Sequence, residues 1–244
     1  MQNAAFRAAG LDWEYEILDV APEALPGALA ELRQPVWAGA NVTIPHKVAV
    51  IRLLDRLEAD ATRVGAVNTI WKHGEDLVGG NTDLHGLRSA MACVGLDPEA
   101  EGAGLQVVIL GAGGSARAAA AAFFRAQPTF VVRRLGAVPV PGAKALAFSD
   151  PAAQGAIQAA DVLVNATPIG RDPGQDPTLP LPRRAVIDLV YRPGPTRLVA
   201  DATAQGLATC DGWEILLAQG ARSFEIWTGL TAPVAAMRKA LGRN

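Results

Sequence analysis

The sequence predicts an α/β protein of two domains, and three observations carry that reading. The chain has 244 residues, about twice the usual length of a single domain. Strand-like and helix-like segments alternate along residues 13–57 and again beyond residue 104, the pattern of layered α/β architecture. Between the two series lies PEAEGAG at 98–104, rich in Gly and acid and without periodicity, which reads as the step from one domain into the next.

The elements follow in order. WEYEILDV (13–20) alternates as a strand does, APEALPGALAELR (21–33) has helical spacing, and VWAGANVTI (36–44) reads as the next strand. Helical spacing returns at KVAVIRLLDRL (47–57). In GAVNTIWKHGEDLVGGNTD (65–83) two short apolar runs flank His73, Gly74, Glu75 and Asp76, a turn cluster that predicts a hairpin. A helix is expected from Asp83 to about Val94. In the second series LQVVIL, TFVV, ADVLVNA and RAVIDLV are strands around the helix SARAAAAAFFRA, which predicts a parallel, doubly wound sheet. DGWEILLAQGARSFEIWTG and APVAAMRKALG are expected as the closing helices.

Composition excludes several classes of function. With half the residues hydrophobic, 19% charged and a formal net charge of −2, the chain has no electrostatic footprint for nucleic acid. Its cysteines, Cys93 and Cys210, form no CxxC pair, so neither a disulfide framework nor a zinc knuckle is supported and a reducing, cytoplasmic compartment fits. His46, His73 and His85 never fall at i, i+4, and no metal is expected. The longest apolar run, Ala118 to Phe124, is far short of the roughly 20 residues that span a bilayer. The expectation is a protein with no membrane segment and no secretion signal.

After LQVVIL comes GAGGSARA, 111–118. Gly111 permits a tight turn, Gly113 lets the backbone approach a pyrophosphate, and the N–H groups that open the helix face the anion. Strand before and helix after favour a dinucleotide site over a glycine turn without a ligand. An acid about 20 residues further on would read the ribose of NAD. The next strand ends instead in Arg133 and Arg134, whose guanidinium groups suit a 2′-phosphate, so NADP is expected. A solvated strand end is the alternative.

A lysine at the start of a helix meets the positive end of the helix dipole, and Lys47 stands there in NVTIPHK (41–47). A surface lysine is the plain reading. Its company argues otherwise: Asn41, Thr43, Asn68 and Asp83 are expected at strand ends or in short loops of NVTIPHK, GAVNT and GGNTD. Together they describe a polar pocket that reads hydroxyls, in which a lysine beside a carboxylate holds a proton for a substrate oxygen.

NVTIPHK, AVNT and GNTD, followed by GAGGSARA, NATPIG, DLVY and QGARSFEIWTG, resemble the shikimate dehydrogenase family in order and spacing along nearly the whole chain. The resemblance implies a substrate-binding domain of residues 1–84 plus 213–244, an NADP-binding Rossmann-like domain of residues 85–212, and reversible reduction of 3-dehydroshikimate to shikimate. It implies Lys47 as general acid/base with Asp83 as its partner, and Asn41, Thr43, Asn68, Tyr191 and Gln219 as polar groups for the substrate. Gly111, Ala112, Gly113, Gly114, Ser115 and Ala116 match the pyrophosphate loop, and Thr167 and Gly212 match positions that line the cofactor. Singly, Asn165 and Thr167 also read as turn caps, Tyr191 as a core aromatic and Gln219 as a wet helix position. A monomer or homodimer is expected.

The chain departs from the family's pattern in several places. The family opens with a strand and a serine-x-serine motif for the substrate carboxylate, whereas MQNAAF resembles the family from an internal methionine onward. A misassigned start and a truncated protein are the two readings; either predicts an uncovered sheet edge, exposed apolar surface, and NADP binding better preserved than shikimate binding. The family's asparagine-arginine-threonine at the second strand end reads RRL here, the helix after it is shortened to GAVPVPGAK, and Glu214 stands where glycine is usual. A quinate or aminoshikimate relative, and a cofactor-binding protein with impaired catalysis, remain as alternative readings.

Overall fold

A computed structural model describes residues 1–137, 140–174 and 176–243. In chain order the elements are α1 (Gln2–Ala8), α2 (Leu25–Leu32), β1 (Gly39–Asn41), α3 (His46–Ala49), β2 (Arg56–Leu57), α4 (Ala59–Val64), β3 (Thr69–His73), β4 (Asp76–Gly80) and α5 (Thr82–Cys93). There follow β5 (Val107–Leu110), α6 (Gly114–Ala122), β6 (Thr129–Val132), β7 (Ala145–Ala147), α7 (Pro151–Ala159), β8 (Val162–Asn165), β9 (Ala185–Asp188), α8 (Arg197–Ala204), β10 (Ala208–Cys210), α9 (Gly212–Thr228) and α10 (Val234–Ala240). They divide into two compact units, Met1–His85 with Leu217–Asn244, and Gly86–Leu216.

The first unit holds a four-stranded sheet in the order β1-β3-β4-β2. Gly74 at φ 62° turns the β3–β4 hairpin, whose closing pair is His73 and Asp76, as the turn cluster predicts. Leu25, Leu29 and Leu32 recur along one face of α2 and pack with Val50, Val67, Ile70 and Leu77, the spacing that buries a single helical stripe. A second cluster joins Phe6 of α1 to Phe224 of α9 and Met237 of α10.

The second unit is built on a parallel sheet in the order β10-β9-β8-β5-β6-β7. The four residues of β5, β8 and β9 are buried, as strands covered on both faces must be. From β5 the chain adds strands first on one side and then on the other, so the sheet reverses between β5 and β8, where ligands bind in open α/β sheets. Alanine has the highest helix propensity, and the six buried alanines of α6, five of them consecutive, bury this helix all round.

Several expectations give way. Residues 13–20 are not a strand: the Tyr15 N–H donates to Asn3 Oδ1 at 2.6 Å and its carbonyl accepts from Asn3 Nδ2 at 3.1 Å, so a side chain stands in for a ladder. The helix expected over 47–57 is a four-residue turn, a 3₁₀ stretch at Val50–Leu53 and then β2, because Asp55 N–H and Glu58 N–H donate to Leu77 and Gly79 of β4. PEAEGAG lies wholly within the second unit, where Asp97 caps the 3₁₀ turn Pro98–Ala100. In GAVPVPGAK, Val138 and Pro139 lie outside the described residues; β7 follows them. β1 borders its sheet, and Ile17 (93% exposed), Leu18 and Val36 face solvent.

Candidate active site

In the first unit, α3 and α5 bring a lysine and a carboxylate together. Lys47 Nζ lies 2.6 Å from Asp83 Oδ2, with 14% and 17% of the two side chains exposed. Asp83 sits in the first turn of α5 rather than in a loop, so its negative charge faces the positive end of the helix dipole. Asn68 donates to the other carboxylate oxygen at 2.8 Å. Both oxygens of Asp83 are therefore directed, and the lysine, with three donors, keeps two N–H groups beyond this contact.

Behind this pair lies a polar lattice. Asn68 is buried; its Oδ1 accepts from Thr82 N–H at 2.7 Å and from the Thr69 hydroxyl at 3.0 Å. Asn41 Nδ2 lies 3.0 Å from Ser223 Oγ, 3.1 Å from Thr69 Oγ1 and 3.2 Å from the Asn68 carbonyl, while its Oδ1 accepts from the Tyr15 hydroxyl at 3.0 Å. Burial pushes the Tyr15 hydroxyl pKa up, so it remains a donor at neutral pH. Gln219 Oε1 takes the Thr82 hydroxyl at 3.4 Å, whereas Thr43 is exposed and its side chain joins none of these bonds. Tyr15, Thr69, Thr82 and Ser223 escape sequence reasoning because single hydroxyls carry no periodic signal; the pairing of β1 with β3 and the passage of α9 bring them together.

In the second unit, Gly111 at φ 110° links β5 to α6, and a Cβ there would meet the Ala166 carbonyl oxygen at 2.9 Å. Ala112 and Gly113 follow. Gly113 is the N-cap of α6 without a side-chain bond, and a Cβ on it would meet nothing within 4 Å. The amides of Gly114, Ser115 and Ala116 thus open the helix with no protein cap, which fits a pyrophosphate. Arg133 and Arg134 are exposed at the end of β6, the strand next to β5.

The loops beyond β8 and β9 are tied by a buried carboxylate. Asp188 accepts from Asn165 Nδ2 at 2.9 Å, Val190 N–H at 3.1 Å and the Thr196 hydroxyl at 2.6 Å. Burial pushes its pKa above the usual carboxylate range, against the pull of these three bonds. Thr167 donates to Asn165 Oδ1 at 2.6 Å and accepts from Ile169 N–H at 3.1 Å, bonds that cap the turn, the alternative reading of this position. Tyr191 is half exposed with its ring 5.5 Å from that of Trp213. Gly212 is buried, and a Cβ there would lie 2.5 Å from the Val190 carbonyl carbon, a packing reason for glycine that the sequence hides. Among the described residues no cluster of three or more His, Cys, Asp or Glu could hold a metal ion, and no helix is long and apolar enough to cross a membrane.

A parallel sheet of this order with an uncapped, glycine-led helix after its first strand defines a dinucleotide-binding protein, and the lysine–carboxylate pair gives the other unit the equipment of an oxidoreductase that moves a proton. The family models described as shikimate dehydrogenase substrate binding domain and shikimate 5'-dehydrogenase C-terminal domain match residues 1–70 and 212–241. The shikimate dehydrogenase (NADP(+)) of Geobacter metallireducens is 40% identical over 258 residues, which cover 98% of this chain and 89% of that protein. Shikimate 5-dehydrogenase from Thermus thermophilus, solved in complex with NADP(H) and shikimate, is 35% identical at a TM-score of 0.82, with 99% of this chain and 92% of that chain covered. The 5-ketofructose reductase of a Gluconobacter species, in its ligand-free form, is 34% identical at a TM-score of 0.79, with 98% and 91% covered. The chain belongs to the shikimate dehydrogenase family.

Proposed function

We propose that this chain is an NADP-dependent dehydrogenase that reversibly reduces the ring ketone of 3-dehydroshikimate to the hydroxyl of shikimate. The observation that carries the reading is the 2.6 Å Lys47–Asp83 pair, fixed from behind by Asn68, in a chain of this family. In the reducing direction Lys47 donates a proton to the ketone oxygen; in the oxidising direction it takes the proton back. Asp83 orients the ammonium and balances its charge, and Asn68 prevents the carboxylate from turning away. Bound NADP supplies or accepts the hydride.

The substrate-binding domain is residues 1–84 with 213–244, and the cofactor domain residues 85–212. Asn41, Thr43, Asn68, Tyr191 and Gln219 are the polar groups for the substrate. Residues 111–116 hold the pyrophosphate, Arg133 and Arg134 the 2′-phosphate, and Thr167 and Gly212 line the cofactor. The two free thiols support a reducing cytoplasm as the place of work, and the active form is a monomer or homodimer.

The test is to supply the purified chain with NADP⁺ and shikimate and to follow formation of the reduced nicotinamide by its absorbance, with quinate and NADP⁺ tested in parallel and 5-ketofructose tested with NADPH by loss of the same absorbance. Turnover with shikimate above the others is the expected result. A preference for quinate or for the ketohexose would replace the substrate, and no turnover despite NADP⁺ binding would leave a cofactor-binding protein.

A further inference from the structure

Cys93 and Cys210, far apart in sequence and joined by no CxxC pattern, both belong to the second unit, and its fold brings them together. Cys93 is the last residue of α5 and Cys210 the last of β10. The Cys93 thiol donates to the Thr209 carbonyl oxygen at 3.9 Å, and the Cys210 thiol donates to that of Asp211 at 3.8 Å. The Thr209 carbonyl is part of the peptide group that leads into Cys210, so the Cys93 sulfur rests against the backbone that carries the second thiol. The two thiols are within hydrogen-bond reach of each other.

Their surroundings differ. Cys93 is exposed, whereas Cys210 is 2% exposed. Burial pushes the Cys210 thiol up, and the neighbouring Cys93, Asp211 and Glu214 add to it, so at neutral pH Cys210 stays protonated and out of reach of a dissolved oxidant. The exposed sulfur meets the oxidant first, and the buried one waits beside it. A metal is no rival occupant: among the described residues no group of three or more His, Cys, Asp or Glu could hold one.

We propose that Cys93 and Cys210 are a modification site, a thiol pair that a peroxide converts into one disulfide within the folded second unit. In the first step the Cys93 sulfur attacks an oxygen of hydrogen peroxide; the O–O bond breaks, and Cys93 sulfenic acid and one water form. In the second the Cys210 sulfur attacks the Cys93 sulfur; the S–O bond breaks, and a second water leaves with the Cys210 proton. Two thiols are oxidised and one peroxide is reduced. In a reducing compartment such a bond is transient and reports on oxidant. It closes a loop that takes in most of the second unit, and a long loop is where a cross-link restricts the unfolded chain most. The site uses neither Lys47 nor the glycine loop, and its readouts need no turnover.

The test treats the native, dilute full chain with equimolar hydrogen peroxide, blocks the remaining thiols with iodoacetamide and digests it for mass spectrometry. Both thiols should disappear together into one linked pair of peptides containing Cys93 and Cys210, and dithiothreitol should restore them. The oxidised chain should unfold about 5–15 °C higher than the reduced one. Cys93→Ser should leave Cys210 unoxidised, and Cys210→Ala should stop Cys93 at the sulfenic acid, trapped by dimedone, with no gain in unfolding temperature. Oxidation of Cys93 beyond the sulfenic acid in the parent while Cys210 stays free would overturn the proposal. So would a disulfide between two copies of the chain, or an internal one that forms only in denaturant.

Discussion

Lys47 was legible as a residue because its position argues against itself: a cation opening a helix needs a reason, and Asp83 supplies one at 2.6 Å. If Lys47 moves the proton, Lys47→Ala loses about 10²–10⁴-fold in kcat while KM for shikimate changes little, since a proton donor acts in the transition state. Steady-state kinetics decide this, and a variant that keeps kcat and only raises KM makes Lys47 a binding group. The Asp188 carboxylate was not legible, although DLVY was read as a block, because nothing in the sequence says that a charged strand end will be buried to 0% exposure. Its folded pKa is raised, so its contribution favours the fold below the unfolded value, near 3.9, and is lost as pH rises through the folded one. Denaturation at a series of pH values therefore shows the stability of the parent falling relative to Asp188→Asn as pH climbs from about 4. A difference that does not vary with pH would mean that the carboxyl titrates alike in both states.

Elements with a strong local signal matched the sequence, and those held by remote partners did not. The hairpin carries its turn in Gly74, and β5, β6, β8 and β9 are apolar runs. By contrast 13–20 alternates like a strand yet pairs with none; β7 and β10 went unread because three residues carry little periodicity, and α7 and α8 because they are short, although Ala153 and Ile157, and Leu198 and Ala202, fall at i, i+4. Helix α8 depends on Thr196, whose hydroxyl accepts from Val199 N–H at 3.2 Å and donates to Asp188 at 2.6 Å. Thr196→Ala removes a cap worth about 0.5–2 kcal/mol and leaves a buried carboxylate oxygen short of a donor, at about 1–3 kcal/mol more. Thermal or denaturant unfolding should register a loss in that range, and Thr196→Ser should restore most of it. At the β5–α6 turn, Gly111→Ala puts a Cβ 2.9 Å from a carbonyl oxygen at a positive φ. That variant is expected to lose stability by about 1–3 kcal/mol and to weaken NADP binding.

For the whole molecule, the sequence carried the α/β class and the two-unit character, but placed an apparent domain step at 98–104 while the chain changes unit within the long helices α5 and α9. Continuous helical periodicity hides such a crossing, since the residues on either side obey the same spacing. Cofactor choice belongs to this scale as well. Arg133 and Arg134 are solvent-exposed at the end of β6, and Arg134→Ala should narrow the NADP over NAD preference about ten- to a hundredfold, the worth of one charge-assisted bond; parallel titrations with the two nucleotides measure it, and an unchanged ratio assigns the 2′-phosphate elsewhere. The central claim, that this chain moves a hydride between NADP and the carbinol carbon of shikimate, is tested most directly by supplying 3-dehydroshikimate and NADPH deuterated at the transferable position of the nicotinamide and analysing the product by mass spectrometry. The account predicts shikimate that carries the deuterium on the former ketone carbon, with the label gone from the nucleotide. Unlabelled shikimate, or a deuterated nucleotide left unconsumed beside intact 3-dehydroshikimate, would contradict it.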